Sequence, residues 1–249
     1  QFDAFVLCLD ALSYANLGGL RFGGPQDDSA LGIAIGTNGH VYAVGQTESE
    51  QFPDSPIGQS SYNGQGDAYA VEIENSNGKM AIVNSARLGG RNADVATSVA
   101  VSEAGTIAIV GRTASRDFPT REAAQAEHGG GKWDGFLATI NTWELLSVTF
   151  FGGNGIDLVH SVAIDSSEQI VLAGASSSTN LPALNTFQVR HAGGVWDGFV
   201  AQFLGRKPVL NWCTYVGGAK ADQLYTIALD VGHNIIVGGA TASSEIPTP

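Results

Sequence analysis

Asp28, Asp94, Asp157 and Asp222 each stand a few residues beyond a Gly-Gly pair, and Asp3, Asp67, Asp134 and Asp197 each stand two residues before an aromatic (Phe5, Tyr69, Phe136, Phe199). Carboxylates are natural ligands of a hard cation, so the first set, gathered near the axis on one face, would make a ring that holds a cation such as Ca²⁺. The competing reading is that each accepts backbone N–H bonds and freezes the Gly-rich crossing beside it. Recurrence in every unit favours that structural reading, because a binding or catalytic site is normally singular. The second set is expected to fix a loop exit in the same way, with the aromatic packing between sheets.

Two phrases, HGGGKWDGF at 128–136 and HAGGVWDGF at 191–199, bring a histidine and a tryptophan close to one of these aspartates. Trp133 and Trp196 at loop exits offer an apolar face and a polar edge of the kind that stacks on a sugar ring, with His128 and His191 nearby as ligand-binding candidates. The plainer expectation is an indole capping a groove and a satisfied histidine. No two histidines have zinc-type spacing, and His40 and His233 fall in turns on the opposite side. No Gly-x-Ser-x-Gly elbow is present, the Thr/Ser phrases at 47–49, 113–115, 176–178 and 241–243 recur in all units, and no glycine cluster precedes a helix as a phosphate cradle does. No catalytic residue is assigned.

These residues repeat because the chain does. The Asp-x-aromatic phrases recur at a spacing of about 65 residues. Four units, about 1–66, 67–133, 134–196 and 197–249, follow one order: an Asp-x-aromatic run, a run into Gly-Gly, an apolar run beginning near Asp, a turn, and a run ending in Gly before a Ser/Thr-rich loop. In LGIAIGTNGHVYAVGQT and its counterparts two short apolar runs flank a turn, and Asn38-Gly39 is a hairpin signal. Each unit therefore predicts four antiparallel strands: A (inner, Ala-centred), B, C (Asp-x-aromatic) and D (into Gly-Gly). Repeated four-stranded meanders predict an all-β propeller in a single domain, each blade burying its faces against its neighbours. Either four blades close by pairing the N-terminal C and D runs with the last A and B runs, or the four repeats are part of a larger array; two incomplete rings that complement each other would also satisfy the pattern. The segment 120–128 is expected to hold one short helix.

The ordered phrases, GG…D, an inner strand with a turn, VGQTESEQFP and VGRTASRDFP, then DGFV, resemble the SBBP-type bacterial β-propeller repeat over nearly the whole chain. The third and fourth units depart from it, with STNLP and SSEIP in place of the Phe-Pro phrase. The resemblance implies a propeller in a surface or secreted protein and brings no catalytic residues with it.

Lys and Arg number 12 against 24 Asp and Glu, and a net charge of −12 repels a phosphate backbone, which argues against nucleic acid as a partner. No apolar run reaches the length of a membrane helix, so membrane insertion of this segment is not expected. Cys8 and Cys213 lie in apolar runs and read as small hydrophobes rather than as a disulfide or a nucleophile. Low charge with much Ser, Thr, Asn and Gly fits an extracellular or cell-surface setting. The expected function is a non-catalytic scaffold that binds a protein partner or helps to build a surface assembly. The alternatives are a glycan-binding propeller using Trp133 and Trp196, with or without Ca²⁺, and a polysaccharide-active enzyme. No cofactor is expected to be required.

Overall fold

The computed structural model describes residues 1–53, 57–58, 62 and 64–246, the pair 57–58 as backbone only. Its described elements are strands and loops. They run β1 (Ala4–Leu9), β2 (Asn16–Phe22), β3 (Asp28–Ile35), β4 (Val41–Thr47), β5 (Ile57–Gly58), β6 (Asp67–Ser76), β7 (Lys79–Leu88), β8 (Asp94–Val101) and β9 (Thr106–Thr113). After these come β10 (Asp134–Asn141), β11 (Glu144–Phe151), β12 (Asp157–Ile164), β13 (Gln169–Ser176), β14 (Asp197–Leu204), β15 (Val209–Val216), β16 (Asp222–Leu229) and β17 (Ile235–Thr241).

Three sheets each hold one complete A-B-C-D meander: β3-β4-β6-β7, with β5 added in parallel to β7, then β8-β9-β10-β11, then β12-β13-β14-β15. The remaining strands form two-stranded sheets, β1-β2 at the start and β16-β17 at the end. All pairings except that of β5 are antiparallel. Register is the same in every sheet. The B strand meets the C strand with Thr47 opposite Asp67, Thr113 opposite Asp134 and Ser176 opposite Asp197. A bulge interrupts each A-B pairing at one place, near Leu31, Thr97, His160 and Tyr225. Such a bulge bends the inner strand and re-aims one side chain. Thr97 Oγ1 uses this to donate to the Val159 carbonyl of the next inner strand at 2.8 Å, and His160 Nδ1 donates to the Leu224 carbonyl at 2.7 Å.

The core lies between successive sheets. In one layer Val44, Ala70 and Leu88 pack on Ile107, Ile109, Phe136, Ile140 and Phe150; in the next, Val110, Leu137 and Phe151 pack on Leu172, Phe199, Phe203 and Tyr215. Phe136, Phe150, Phe151 and Phe199 are all fully buried. Removing one such ring costs about 3–5 kcal/mol through lost burial and a cavity. In each complete sheet the aromatic of the C strand crosses a glycine of the adjacent B strand. A Cβ on Gly45, Gly111 or Gly174 would lie 3.0, 2.9 or 2.8 Å from Tyr69, Phe136 or Phe199, besides striking the A-strand carbonyl on its other side. The Gly that ends each B-strand phrase is therefore a packing requirement.

The segment 120–128 is not helical. Arg121 pairs with Val148 as an isolated bridge, and the Phe150 N–H donates to the Gln125 carbonyl at 3.0 Å. The loop is strapped to the outer edge of β11, and those edge bonds displace the local helical preference of Glu-Ala-Ala. Parts of the long loops at 46–66 and 240–249 lie outside the described residues.

Candidate functional site

The repeated aspartates that open the A strands are the hubs of a latch built four times. Asp28 accepts the Gly24 N–H at 2.7 Å and the Ser49 hydroxyl at 3.0 Å; Asp94 accepts Gly90 N–H at 2.7 Å and the Ser115 hydroxyl at 2.9 Å. Asp157 accepts from Gly153 and Ser178, both at 2.7 Å, and Asp222 from Gly218 at 2.7 Å and Ser243 at 2.8 Å. Ser176 and Thr241 add a further bond to Asp157 and Asp222. The same serines accept N–H groups of the crossing, Gln26, Asn92, Gly155 and Lys220, at 2.7–2.9 Å. Three latches also tie one unit to the next, since the N–H groups of Asp94, Asp157 and Asp222 donate to the carbonyls of Gly66, Trp133 and Trp196; the Asp28 N–H makes the equivalent bond to the Phe2 carbonyl. This places the Gly-Gly crossings and the starts of the long loops on one side. It keeps the four carboxylates in four separate latches, and among the described residues no three His, Cys, Asp or Glu side chains converge as a metal site would require.

Carboxyl acidity differs among three latches with alike donors. Burial pushes Asp94 up to about 6 and raises Asp157, against the donors that favour the carboxylate. Asp222 also feels burial first, but its β16-β17 sheet is less enclosed, and bonds from Thr241, Gly218 and Ser243 hold it below the ordinary value. In these three latches the two carboxylates enclosed by a following sheet are raised and the more open one is lowered.

The second aspartate set is less uniform. Asp134 accepts the Gly129 N–H at 2.5 Å and Asp197 the Ala192 N–H at 2.6 Å, which closes the Gly-rich loop exit. Asp3 pairs with Arg21 at 3.3 Å instead, and Asp67 is fully buried. Burial pushes Asp134 up to about 7, and the neighbouring Asp157 adds to this.

His128 and His191 are walled in rather than presented to solvent. His128 Nδ1 lies 3.4 Å from Asp134 with its ring edge-on to Phe150, and His191 Nε2 lies 3.9 Å from Asp197 with its ring edge-on to Tyr215. Trp133 and Trp196 are half-buried, and Arg112 and Lys132 stand 5.5 and 5.7 Å from the Trp133 ring. At Trp133 cations thus already occupy ring surface on which a sugar would stack. Cys8 and Cys213 are both free thiols, and burial pushes Cys213 up to about 12.

Among the described residues, one polar cluster is centred on a carboxylate within a C strand, and it escaped the repeat-based reading. Glu72, buried on β6, accepts bonds from Asn84 Nδ2 at 2.7 Å, Tyr42 Oη at 2.9 Å, Asn38 Nδ2 at 3.1 Å and Trp143 Nε1, and lies 2.8 Å from His40 Nδ1. Burial works to raise Glu72, but the donors Asn84, Tyr42, His40 and Trp143 outweigh it and hold the carboxylate below its usual range. Burial and the bond to Glu72 push Tyr42 up to about 12. The sequence signal was a carboxylate inside the apolar run AYAVEIE, where the equivalent C-strand positions are Cys8, Thr139 and Gln202. With both oxygens held by donors, Glu72 is an anchor that ties the Trp143 turn of the following sheet to β6, and it lacks the free lone pair a general base needs.

No protein-family model matches the chain, and no curated protein is significantly similar to it. What the fold and the latches define is an all-β protein of repeated, mutually packed four-stranded sheets.

Proposed function

We propose that this chain is a non-catalytic β-propeller module of an extracellular or cell-surface protein, acting as a scaffold that joins further blades or a protein partner through its open sheet faces. One observation carries the reading. The aspartates that open the A strands are engaged in internal bonds, while large apolar residues left exposed on β1 and β3 occupy positions that are buried in the second and third complete sheets. Phe5, Leu7 and Leu9 correspond to Phe136, Ala138 and Ile140, and Ile33 corresponds to Val99 and Val162; the first group is exposed and the second buried. Apolar surface of that extent in repeat proteins marks a neighbour's place. The SBBP-type resemblance and the antiparallel four-stranded sheets support blades of a propeller.

The test is turnover. The purified chain and its Glu72→Gln variant, which alters the polar cluster on β6, are assayed against panels of glycosides, esters and peptides. The scaffold reading expects no turnover by either protein. Turnover by the parent that Glu72→Gln abolishes would refute it.

A further inference from the structure

We infer that the pocket between the sheets β8-β9-β10-β11 and β12-β13-β14-β15, beneath the straps at 121–125 and 181–184, binds a free small molecule with one aromatic ring. The site lies apart from the open sheet faces of the scaffold reading and goes beyond that reading.

The pocket encloses about 220 Å³. Phe150, Phe151 and Phe203 form its floor, each 1% exposed, and half-buried Leu210 closes one side. Its mouth lies between Ala124 and Pro182, which are both exposed, so a ligand enters without the sheets parting. The straps that carry the mouth are pinned to the outer strands by the bridge of Arg121 to Val148 and that of Leu184 to Cys213. A pocket framed on fixed strands loses little freedom when it is filled.

The next unit indicates what fits there. Gln125 and Gln188 make the same bonds. Their N–H groups donate to Thr149 Oγ1 and Thr214 Oγ1 at 2.8 and 3.1 Å, and their side-chain oxygens accept the Gly152 and Gly217 N–H groups, both at 3.1 Å. Their backbone carbonyls accept from Phe150 and Tyr215 at 3.0 and 3.1 Å. The residue before each glutamine therefore holds the same place, and it is Ala124 in one unit and Phe187 in the next. Phe187 lines the groove on the outward face of its own sheet with Val200 and Val216, which correspond to Leu137 and Phe151. Alanine at 124 stops short of the volume to which a benzyl group is directed one unit later.

Size and lining set the class of ligand. A cavity of roughly 150 Å³ lined by such side chains holds one benzene, so about 220 Å³ holds one ring with a small substituent. The rings of Phe151 and Phe203 already meet edge to face, with centroids 6.0 Å apart, and offer a further ring the same geometry. The polar side chain of the lining, Gln125, has its oxygen bonded to the Gly152 N–H and its nitrogen to the Glu127 carbonyl, so a charged ligand would find its own groups unpaired. Around the mouth the surface is charged: Arg121 and Glu127 are exposed, and Glu122 pairs with Lys207 of the next unit at 3.5 Å. That rim suits a free small molecule rather than the apolar face of a protein.

The experiment follows fluorobenzene by fluorine NMR with the whole chain and displaces it with toluene or cyclohexane. One saturable site with a Kd of about 0.1–1 mM is expected for a ligand of this size. Ala124→Phe should abolish binding with the melting temperature equal or higher, because the new ring fills the pocket from within. Phe187→Ala, which alters the groove beside β17, should leave binding unchanged. Leu210→Ala widens the pocket and should let naphthalene compete about tenfold better than it does with the parent, an arm that holds even if Ala124→Phe fails to fold. No saturable binding, binding that survives in folded Ala124→Phe, loss of binding in Phe187→Ala, or unchanged competition by naphthalene in Leu210→Ala would each overturn the site. Displacement by cyclohexane equal to that by toluene would overturn the aromatic class. None of these results bears on turnover or on the sheet faces, so the scaffold reading stands or falls separately.

Discussion

Asp134→Asn gives the sharpest test of the energetics, because its expected effect has an uncommon sign. Asp134 is fully buried at the start of β10, with His128 at 3.4 Å, Asp157 adding unfavourable charge, Arg116 opposing it, and the Gly129 N–H bonded to its Oδ2. Its folded-state value of about 7 stands above the ordinary 3.8, so the folded protein holds a proton that the unfolded chain releases. The stability contributed is therefore complete below the unfolded value and is lost as pH rises through about 7. Between pH 5 and pH 8 that loss integrates to about 2–3 kcal/mol for this group. Asn keeps an oxygen for the Gly129 N–H and removes the titration. Burial lowers His128 below its usual value, and protonation of that ring on the acid side acts on stability in the opposite direction in both proteins. The assay is urea unfolding of the parent and Asp134→Asn at half-unit steps from pH 5 to pH 8, read as the stability difference between them. The parent should lose about 2–3 kcal/mol relative to the variant across that range. Parallel profiles, flat within about 0.5 kcal/mol, would refute a protonated Asp134 and with it the dominance of burial over its donors.

Glu72→Ala strands the Trp143 indole, the Asn84 amide and the Tyr42 hydroxyl, and should cost about 3 kcal/mol in urea unfolding with a shift in tryptophan emission; an unchanged midpoint would show that water replaces the carboxylate. Ser115→Ala removes both the bond to Asp94 and the acceptor for Asn92 N–H within a buried latch, and should cost about 1–2 kcal/mol, whereas Ser243→Ala in the half-open latch of β16 should cost less. Equal losses in the two serine variants would contradict the role given to enclosure.

The parts legible in the sequence are those whose causes repeat. The A-B hairpins around Asn38 and Ala104, the C strands after Asp67 and Asp134, and the glycines ending each B strand recur with the same neighbours, so one unit explains the others. That Asp28, Asp94, Asp157 and Asp222 would accept backbone N–H groups of the Gly-Gly crossings was legible for the same reason. Contacts between units were not. Trp143 reaches Glu72 across 71 positions, and nothing near either residue encodes the meeting. His128 and His191 read as loop residues, yet Phe150 and Tyr215 from the following D strands wall them in. The short helix expected at 120–128 fails because its competing partner, the edge of β11, lies well downstream in sequence.

The latch has a consequence for how such a chain can lengthen. Glycine, aspartate four positions on and serine a further 21 positions on all fall within one unit's length, and only a backbone carbonyl is borrowed from the unit before. A duplication that copies one whole unit, starting at any point, therefore carries its own donors and acceptor into the new junction. It needs no second mutation to satisfy a buried carboxylate. An insertion of one residue between glycine and aspartate has no such tolerance, since it moves the N–H away from the carboxylate it must meet. Growth by whole units is thus chemically neutral at every joint, while growth by single residues at the crossing is penalised from the first step.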